Sequence, residues 1–466
     1  MELSILAGAR THAAPSTGFL IHVADDAAEL AAYRRLRRDE FVAEQHLFAT
    51  SDADDVDDDP RTVVLVAVAP DGSVLGGVRL GPVCNPDLGW WTGSRLVTTP
   101  AARTSGVGPA LIRAACAHAE SAGVLRFEAA VQLRYERMFV ALGWQRVGRC
   151  VVAGAEHARV RWPLQQMQRL ANATKTFLGD ALAPLRAVPG GLGPAGFVGD
   201  DGVPVPGSDV VAACDAIIPS MVERDPEWAG WCSVLVNVND LTAMGAVPTG
   251  LLDAIGAPTR SLLTRIVRGI AKASEAWGVP VLGGHTQLGV PAALTVTALG
   301  RTPAPVRAGG GSAGDALRLT ADLTGGWRPG YHGRQWDSSS SRSGADLARL
   351  AGLVGELAPK AAKDVSMAGV VGTAGMLAEA SGTGVEVDVA AVPRPSGAAV
   401  DEWLTCFPGY AMLTADRPGS AGPSAPAGVV SAECGRLTTE PGVRLVWPDG
   451  VATTAVAPGV TGLGEA

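Results

Sequence analysis

The sequence of 466 residues is too long for a single hydrophobic core and predicts two to three domains. Hydrophobic residues make up 47% of the chain and charged residues 18%, which is typical of a folded protein and not of a disordered one. The net charge of -8, without a basic or basic-aromatic cluster, argues against nucleic acid as a partner.

The seven cysteines are scattered and include no CxxC pair, so they favour reduced core residues over a zinc site or a disulfide framework. The longest uncharged run, residues 276–300, is interrupted by Gly, Pro and His285, which favours two strands and a turn over a membrane helix. The amino terminus shows no apolar core followed by a cleavage signal. We therefore expect a cytoplasmic protein that binds no membrane.

The first 80 residues predict a short strand and a hairpin. Residues 19–23 are apolar, and the turn at 70–73 joins the hairpin strands 62–69 and 74–80. The acidic run 51–60 favours a solvated surface loop, because blocks of like charge repel; a metal loop is the alternative.

A glycine-containing turn between a strand and a helix is the most informative feature of the first third. The strand ends near Val97, and Arg103-Thr-Ser-Gly106-Val-Gly108 leads into a helix over 109–120. Glycines at such a turn let backbone N–H groups approach an anion, and the helix N-terminus favours phosphate. Plain helix capping is the alternative interpretation.

This turn resembles motif A of the GNAT-type N-acetyltransferases, in which RxxGxG holds the pyrophosphate of coenzyme A. The later elements keep the order typical of that family: a strand at 127–131, a helix at 133–142 and the sequence Gly143-Trp144-Gln-Arg-Val-Gly148. The resemblance covers about residues 18–163 and implies direct attack of an amine on a thioester that a backbone N–H near Val97 polarises. It implies that acetyl-CoA, or another acyl-CoA, is bound by Leu96, Val97, Arg103, Thr104, Ser105, Gly106, Val107 and Gly108.

The sequence departs from this family at the expected proton donor. Many members carry a Tyr four residues before the Gly of the final Gly-aromatic pair, where it protonates the departing thiolate; here that residue is Phe139. Tyr135, one helical turn earlier, is the candidate replacement, with a packed aromatic residue as the alternative. His157 is the candidate base for the amine, with a core or surface histidine as the alternative.

Acidic residues mark the beginning of the second module. Residues 164–187 predict an amphipathic helical connector, and a glycine-rich stretch then leads into Asp200-Asp201-Gly202, which suits either a turn or a site. Asp215 interrupts the apolar strand 209–218. A carboxylate in such a strand is costly unless it is paired or bound to a metal.

The stretch 234–255 predicts a largely buried helix followed by a strand. Apolar residues recur with helical spacing, while Asn237 and Asp240 lie three residues apart on another face of the helix. Gly245 ends the helix, and Pro248 opens the strand. Because its neighbours are uncharged, the Asp240 carboxylate should face a cation, a ligand or a water-filled cleft.

Three later segments carry further candidates. The strand 279–282 leads into Gly283-Gly284-His285-Thr286, where one interpretation of His285 is a core histidine. Residues 325–344, rich in Trp, Tyr, Gly and Ser, predict a flexible lid or a long loop. Lys363-Asp364-Val365-Ser366 precedes a helix predicted over 368–380.

These segments, covering about 190–415, resemble the aminoimidazole ribonucleotide (AIR) synthase superfamily, which includes thiamine-monophosphate kinase and selenophosphate synthetase. The resemblance implies ATP and Mg²⁺ as cofactors and a homodimer formed through the ATP-binding half. It implies metal binding by Asp200, Asp201, Asp215, Asp240 and Asp364. It also implies nucleotide contacts from Asn237, Gly283 and Gly284, and catalytic roles for Asp240 and for His285, which would contact phosphate or substrate.

The predicted fold class is α/β and α+β, a GNAT-type mixed sheet with flanking helices followed by a two-part AIR synthase-like α+β module. The predicted domains are an acyl-CoA-binding domain, a helical linker, two AIR synthase-like halves and a tail, at 1–163, 164–187, 188–304, 305–456 and 457–466.

The favoured hypothesis is a bifunctional enzyme that acts on a small nitrogenous metabolite, with one domain using ATP and the other acylating an amine. The pairing also resembles bacterial fusions associated with nitrogen-starvation gene clusters. The alternatives are a single-activity kinase with an acyl-CoA-sensing domain, and a regulatory binding protein without catalysis.

Overall fold

The computed structural model describes residues 18–466, and the chain divides after Leu164 into two compact units. We call the part up to Leu164 unit 1 and Gln165–Ala466 unit 2. Residues 1–17, which include the predicted start of the acyl-CoA domain and the segment searched for a secretory signal, lie outside the described residues. Within the described part, no helix is both long and apolar enough to cross a membrane.

Unit 1 alternates strands and helices. A π-helix over Arg38–Glu44 extends the first helix. The elements in chain order are β1 (Leu20–Val23), α1 (Ala27–Arg37), β2 (Val63–Val68), β3 (Val74–Pro82), β4 (Trp90–Thr98), α2 (Val107–Ser121), β5 (Arg126–Gln132), α3 (Glu136–Ala141), β6 (Gln145–Val152) and β7 (Ala155–Trp162).

The described residues of unit 1 form one seven-stranded mixed sheet in the order β1-β2-β3-β4-β5-β7-β6. β4 and β5 are parallel, and their pairing ends at Gly93 and Ala129. Beyond that point β4 stays paired with β3 and β5 with β7, so the sheet opens between them. A mixed sheet with flanking helices confirms the fold class predicted for this part of the chain.

The prediction of a solvated acidic loop at 51–60 holds for most of the run, since six of its ten residues are exposed, but several of its carboxylates are paired. Three aspartates from this run bind three arginines, one each from α1, β3 and β4; we call Arg37, Arg79, Arg95, Asp52, Asp54 and Asp57 the Arg–Asp cluster. Arg37 Nε donates to Asp52 over 2.7 Å, and Arg79 donates to Asp54 over 2.6 Å. Arg37 and Arg79 are each 2% exposed. The aspartates, which would repel one another in an unfolded chain, are therefore neutralised by arginines that lie close to them only in the folded protein.

Unit 2 begins with three short helices in place of one continuous amphipathic connector. Its first half contains α4 (Gln166–Thr174), α5 (Leu178–Ala181), α6 (Ala183–Arg186), β8 (Val203–Pro204), β9 (Val210–Ala216), α7 (Pro219–Arg224), α8 (Pro226–Ala243), β10 (Val247–Ala257), α9 (Arg260–Trp277), β11 (Val281–Leu288) and β12 (Ala293–Arg301). Its second half contains β13 (Ala316–Asp322), β14 (Gly326–Trp327), β15 (Gln335–Asp337), α10 (Gly344–Leu357), β16 (Ala361–Asp364), α11 (Gly369–Ala380), β17 (Gly384–Asp388), α12 (Val400–Thr405), β18 (Phe407–Pro408), β19 (Ala411–Asp416), β20 (Val429–Thr438), β21 (Gly442–Val446) and β22 (Ala452–Val456).

Three sheets organise the described residues of unit 2. The first half holds a five-stranded sheet in the order β11-β10-β12-β9-β8, and the second a seven-stranded sheet in the order β16-β19-β13-β20-β17-β21-β22. β14, β15 and β18 form the third sheet. All residues of α8 except Glu227 are buried, because the helix packs on strands of the first sheet and against α9 and α10. This sandwiched position explains why its sequence is apolar on almost every face.

Two local predictions for unit 2 need refinement. Residues 325–344 are largely a long loop, but they also contribute the short strands β14 and β15 and a row of edge-to-face contacts between Trp327, Trp336 and Trp403. The strand predicted at 279–282 does not end before Gly283. It runs on through Leu288 as β11, which forms an exposed edge of the first sheet.

Candidate active sites

Three carboxylates from distant parts of unit 2 meet in one place. Asp201 follows the glycine-rich stretch, Asp240 lies in the last turn of α8, and Asp364 ends β16. Each offers an oxygen atom within 4.8 Å of the other two, and we call these residues the carboxylate triad. A carboxylate in the last turn of a helix is disfavoured by the helix dipole, so the position of Asp240 is costly for stability.

Lys363 binds one member of the triad. The residue is 1% exposed, and its ammonium group pairs with the Asp201 carboxylate and lies 3.8 Å from Asp200. The second oxygen of Asp201 accepts a hydrogen bond of 2.9 Å from the backbone N–H of Asp364. The Lys363 ammonium group thus compensates part of the negative charge of the triad. The hydrogen bond between Asp364 and Asp201 connects β16 to the loop at 201.

Among the described residues, lysine charges offset the remaining negative charge of the triad only in part. Burial, together with repulsion from Asp364, Asp215 and Asp201, raises the pKa of Asp240 well above its ordinary value. Burial and repulsion from Asp201 do the same for the pKa of Asp364. Desolvation and crowding of like charges both disfavour ionisation, and a bound cation would remove the second effect.

The other two predicted metal ligands lie beside the triad with different surroundings. Asp200 turns away from it, since one oxygen accepts from Ala308 N–H over 2.8 Å and the other from Asp201 N–H. Burial raises its pKa to about 6 against the opposing charge of Lys363. Asp215, on β9, borders the same cavity as the triad, and burial raises its pKa against the opposing charge of Lys175.

The triad borders a cavity of about 370 Å³, which is within the size range of small-molecule sites. The sequence did not identify several of its walls. Lys175 and Leu178 come from the predicted linker, and Thr461 and Leu463 come from the predicted tail. These two segments are joined by a hydrogen bond of 2.8 Å from Gly179 N–H to the Thr461 carbonyl. No short-range pattern signals such an arrangement.

The remaining candidates of unit 2 are not among the described cavity residues. Asn237 is fully buried within α8, where its side-chain amide donates to the Ser233 carbonyl over 2.9 Å. Gly283, Gly284 and His285 lie on the exposed strand β11. Their proposed contacts with nucleotide or phosphate therefore stay predictions.

In unit 1 the glycine turn begins α2 as the sequence indicates. Gly106 has a φ of +83°, a conformation that other residues rarely adopt, and a side chain there would point into open space. The first backbone N–H groups of α2, at 107 and 108, have no intrahelical acceptor and can bind an anion. The Arg103 guanidinium instead binds Glu40 and Glu44, at 2.5 and 2.7 Å.

The candidate catalytic residues of unit 1 lie in different environments. His157, on β7, is 3% exposed and lines a cavity together with Phe139. Its Nδ1 lies 2.9 Å from the carbonyl oxygen of Ala155. The other ring nitrogen, Nε2, is therefore the one that can take up a proton from a substrate. Tyr135 is 40% exposed, lies beneath the Arg134 guanidinium and is not among the described cavity residues. Phe139 packs edge-on against Trp144, at a centroid distance of 5.4 Å.

Comparison with known families assigns both units. Residues 30–143 match the acetyltransferase (GNAT) family, residues 199–302 match the N-terminal domain of AIR synthase related proteins, and residues 337–447 match their C-terminal domain. These three matches fall on the segments that carried the two sequence resemblances.

Individual relatives cover the chain unevenly. An uncharacterized protein of Synechocystis is 36% identical over 236 residues, which are 49% of this chain and 73% of that protein. Thiamine-monophosphate kinase of Methanospirillum hungatei is 35% identical over 96 residues, which are 20% of this chain and only 34% of the kinase. The crystal structure of thiamine monophosphate kinase from Aquifex aeolicus is 21% identical, covers 55% of this chain and 92% of that one, and has a TM-score of 0.43.

Proposed function

Because the chain belongs to the AIR synthase related family and carries a GNAT family domain before it, we propose that it is an enzyme with two activities. Unit 2 uses ATP with Mg²⁺, and unit 1 transfers an acyl group from coenzyme A to an amine. The substrate class that we propose is a small nitrogenous metabolite, in a cytoplasmic enzyme.

The single observation that carries the ATP-dependent activity is the convergence of Asp201, Asp240 and Asp364 beside a cavity. Hard carboxylate oxygens are the ligands that Mg²⁺ prefers, and Mg²⁺ sites of kinases use one or two carboxylates together with substrate phosphates. The triad fits this ion, because it leaves negative charge that Lys363 alone does not balance. Mg²⁺ bound there supplies neutralisation of the phosphate charge.

The residues around the triad suit an anionic substrate. Lys175 borders the cavity, and its charge acts on both Asp215 and Asp364. No ion pair within 4 Å engages Lys175 among the described residues, so its ammonium group is available to a phosphate oxygen. Positioning of phosphate by fixed charges is the main contribution of a protein to phosphoryl transfer. The reaction that we propose is transfer of a phosphoryl group from ATP to the metabolite.

The test is the release of ADP from ATP, measured with and without Mg²⁺ over a panel of small amines and phosphorylated metabolites. We expect Mg²⁺-dependent release that Asp240→Asn abolishes. Lys175→Met should raise the KM for the anionic substrate more than it lowers kcat, because the ammonium group binds ground state and transition state alike. ADP release that continues unchanged in Asp240→Asn would refute the site.

For unit 1 we propose that the amine nitrogen attacks the thioester carbonyl carbon. The C–N bond forms, the C–S bond breaks, the proton of the amine passes to His157 Nε2, and the CoA thiolate takes a proton from water. The burial of His157 in the cavity and its fixed Nδ1 support this role. The first N–H groups of α2 hold the pyrophosphate.

A second candidate for unit 1 is acyl-CoA binding without transfer. Phe139 favours this candidate, because it lines the cavity at the position where many members of the family have a proton donor. Tyr135 favours it as well, because it is 40% exposed and is not among the described cavity residues. Release of the CoA thiol with any amine would exclude it. Loss of that release in His157→Gln, with acyl-CoA affinity retained, would support the catalytic role of the histidine.

We also propose that the protein forms a homodimer through the first sheet of unit 2. The edge strand β11 is exposed along its whole length and presents Leu282 and Leu288, which are 61% and 54% exposed. An apolar edge strand without cover is prone to pair with another chain. The mass in solution, measured by light scattering, should be that of a dimer and should fall towards a monomer in Leu282→Lys.

A further inference from the structure

The cavity of unit 1 lies where the sheet opens between β4 and β5. Its volume is about 200 Å³, and its walls include residues after the last β4–β5 pair, such as Leu96 and Val131. The backbone of β4 is bulged at this point, with Arg95 at a φ of +54° and its carbonyl fixed by the Tyr33 hydroxyl at 2.8 Å. The opening is therefore built into the strand.

The cavity reaches the hydrophobic core of unit 1. Ile112 and Ala115 of α2, Phe127 of β5 and Trp144 line it, and each of them is less than 5% exposed. Phe48 closes it from the segment after the π-helix. Such a surface holds water poorly and favours an apolar occupant.

The charged member of the lining offers no free cation to an anionic occupant. The Arg95 guanidinium donates to the Asp52 carbonyl over 2.8 Å and to the Asp54 carboxylate over 2.8 Å, and it stacks over the Phe48 ring at 4.8 Å. Its charge is matched within the Arg–Asp cluster. Among the described lining residues, a terminal carboxylate in the cavity would find no free guanidinium or ammonium group, and the other titratable side chain of the lining, His157, is the proposed base for the amine.

The volume of the cavity indicates how long an acyl chain it can hold. An apolar cavity of roughly 150 Å³ accommodates the six carbons of benzene. The cavity of about 200 Å³ in unit 1 therefore has room for about six to eight carbons. An acetyl group has two carbons and would leave most of this space empty.

We propose that unit 1 takes an unbranched, uncharged acyl chain of about six to eight carbons on coenzyme A, with the chain buried between β4, β5 and α2. This inference rests on the proposed acyl-CoA function of unit 1 and names its substrate class. The same helix serves both parts of the ligand: α2 begins at the glycine turn, and Ile112 and Ala115 follow within about three turns.

The test is the affinity of the full-length protein for coenzyme A and for its acetyl, hexanoyl, octanoyl, dodecanoyl and succinyl thioesters, measured by calorimetry. Each methylene that enters the cavity should strengthen binding about fourfold, up to about eight carbons, and the gain should then stop. Succinyl-CoA should bind no better than acetyl-CoA.

Two substitutions of opposite effect make the assignment specific. Ala115→Leu fills part of the cavity and should shift the preferred chain towards acetyl, while Ile112→Ala enlarges it and should extend the preferred chain by about two to three carbons. Both should bind unacylated coenzyme A as the unmodified protein does, which also reports that they are folded. Equal affinity for all chain lengths, with coenzyme A bound, would overturn this inference alone. Failure to bind coenzyme A at all would overturn the proposed function of unit 1 along with it.

Discussion

Neutralising Asp240 is expected to stabilise the metal-free protein while removing its response to Mg²⁺. At 4.8 Å, the largest separation within the carboxylate triad, two ionised carboxylates repel by about 3 kcal/mol at an effective dielectric constant of about 20. Asp240 has two such neighbours, and Lys363 offsets part of the repulsion by pairing with Asp201. The gross strain is therefore several kcal/mol.

Protonation of Asp240 sets an upper limit on this repulsion, because the neutral carboxyl is no longer repelled. For a carboxyl with an ordinary pKa of 3.8, protonation at pH 7 costs about 4 kcal/mol. Replacing Asp240 by the isosteric Asn should therefore raise the free energy of unfolding of unit 2 by about 1–4 kcal/mol in the presence of a chelator. For a unit of about 300 residues this corresponds to a rise in Tm of about 2–6 °C.

The assay is thermal unfolding of the full-length protein in chelator and in excess Mg²⁺, with hydrogen exchange of unit 2 peptides to assign the transition. The unmodified protein should gain about 2.7 kcal/mol at a Mg²⁺ concentration a hundredfold above Kd, and Asp240→Asn should gain almost nothing. Asp253→Asn is the control, because burial raises the pKa of this β10 carboxyl as well, yet it is not among the described cavity residues. It should change stability by less than about 0.5 kcal/mol and keep the Mg²⁺ response. If Asp240→Asn is destabilised in chelator, or retains that response, the reasoning fails.

Three further substitutions test the other charged and strained positions. Lys363→Met leaves Asp201 buried without its partner and should lower the free energy of unfolding by about 3–5 kcal/mol, as measured by urea titration. Asp57 has its pKa lowered by the hydrogen bond from Arg37, against the effect of burial, so it stabilises unit 1 above about pH 4 and less as the pH falls towards its lowered pKa. Asp57→Asn should therefore flatten the acid limb of a urea stability profile; an unchanged limb would contradict this. Gly106→Ala should cost about 1–2 kcal/mol and weaken coenzyme A binding, whereas Gly154→Ala, with a φ of +80° and equally open surroundings, should cost the same and leave that binding intact.

Short-range patterns in the sequence identified most elements and several candidate site residues. The spacing of apolar residues marked α8, although the helix begins at Pro226, before the predicted stretch. The glycine turn before α2 was readable because Gly106 must adopt a φ that other residues avoid. Asp215 and Asp240 were recognisable as site candidates because a carboxylate in an apolar element needs a partner, whatever the fold, whereas Asp364 was recognised through the family resemblance.

Only the tertiary structure decided which of these groups meet. Lys363 lies 162 residues from Asp201, and the Arg–Asp cluster joins residues from α1, β3, β4 and the acidic run. The tertiary structure also decided that Lys175 and Thr461 form walls of one cavity, and that His285 lies on an exposed edge strand. Periodicity and turn chemistry act over a few residues, whereas charge compensation and burial depend on pairs brought together by the sheets. The sequence alone therefore identified candidate side chains for the chemistry, and the packing of distant strands and helices determined which of them meet.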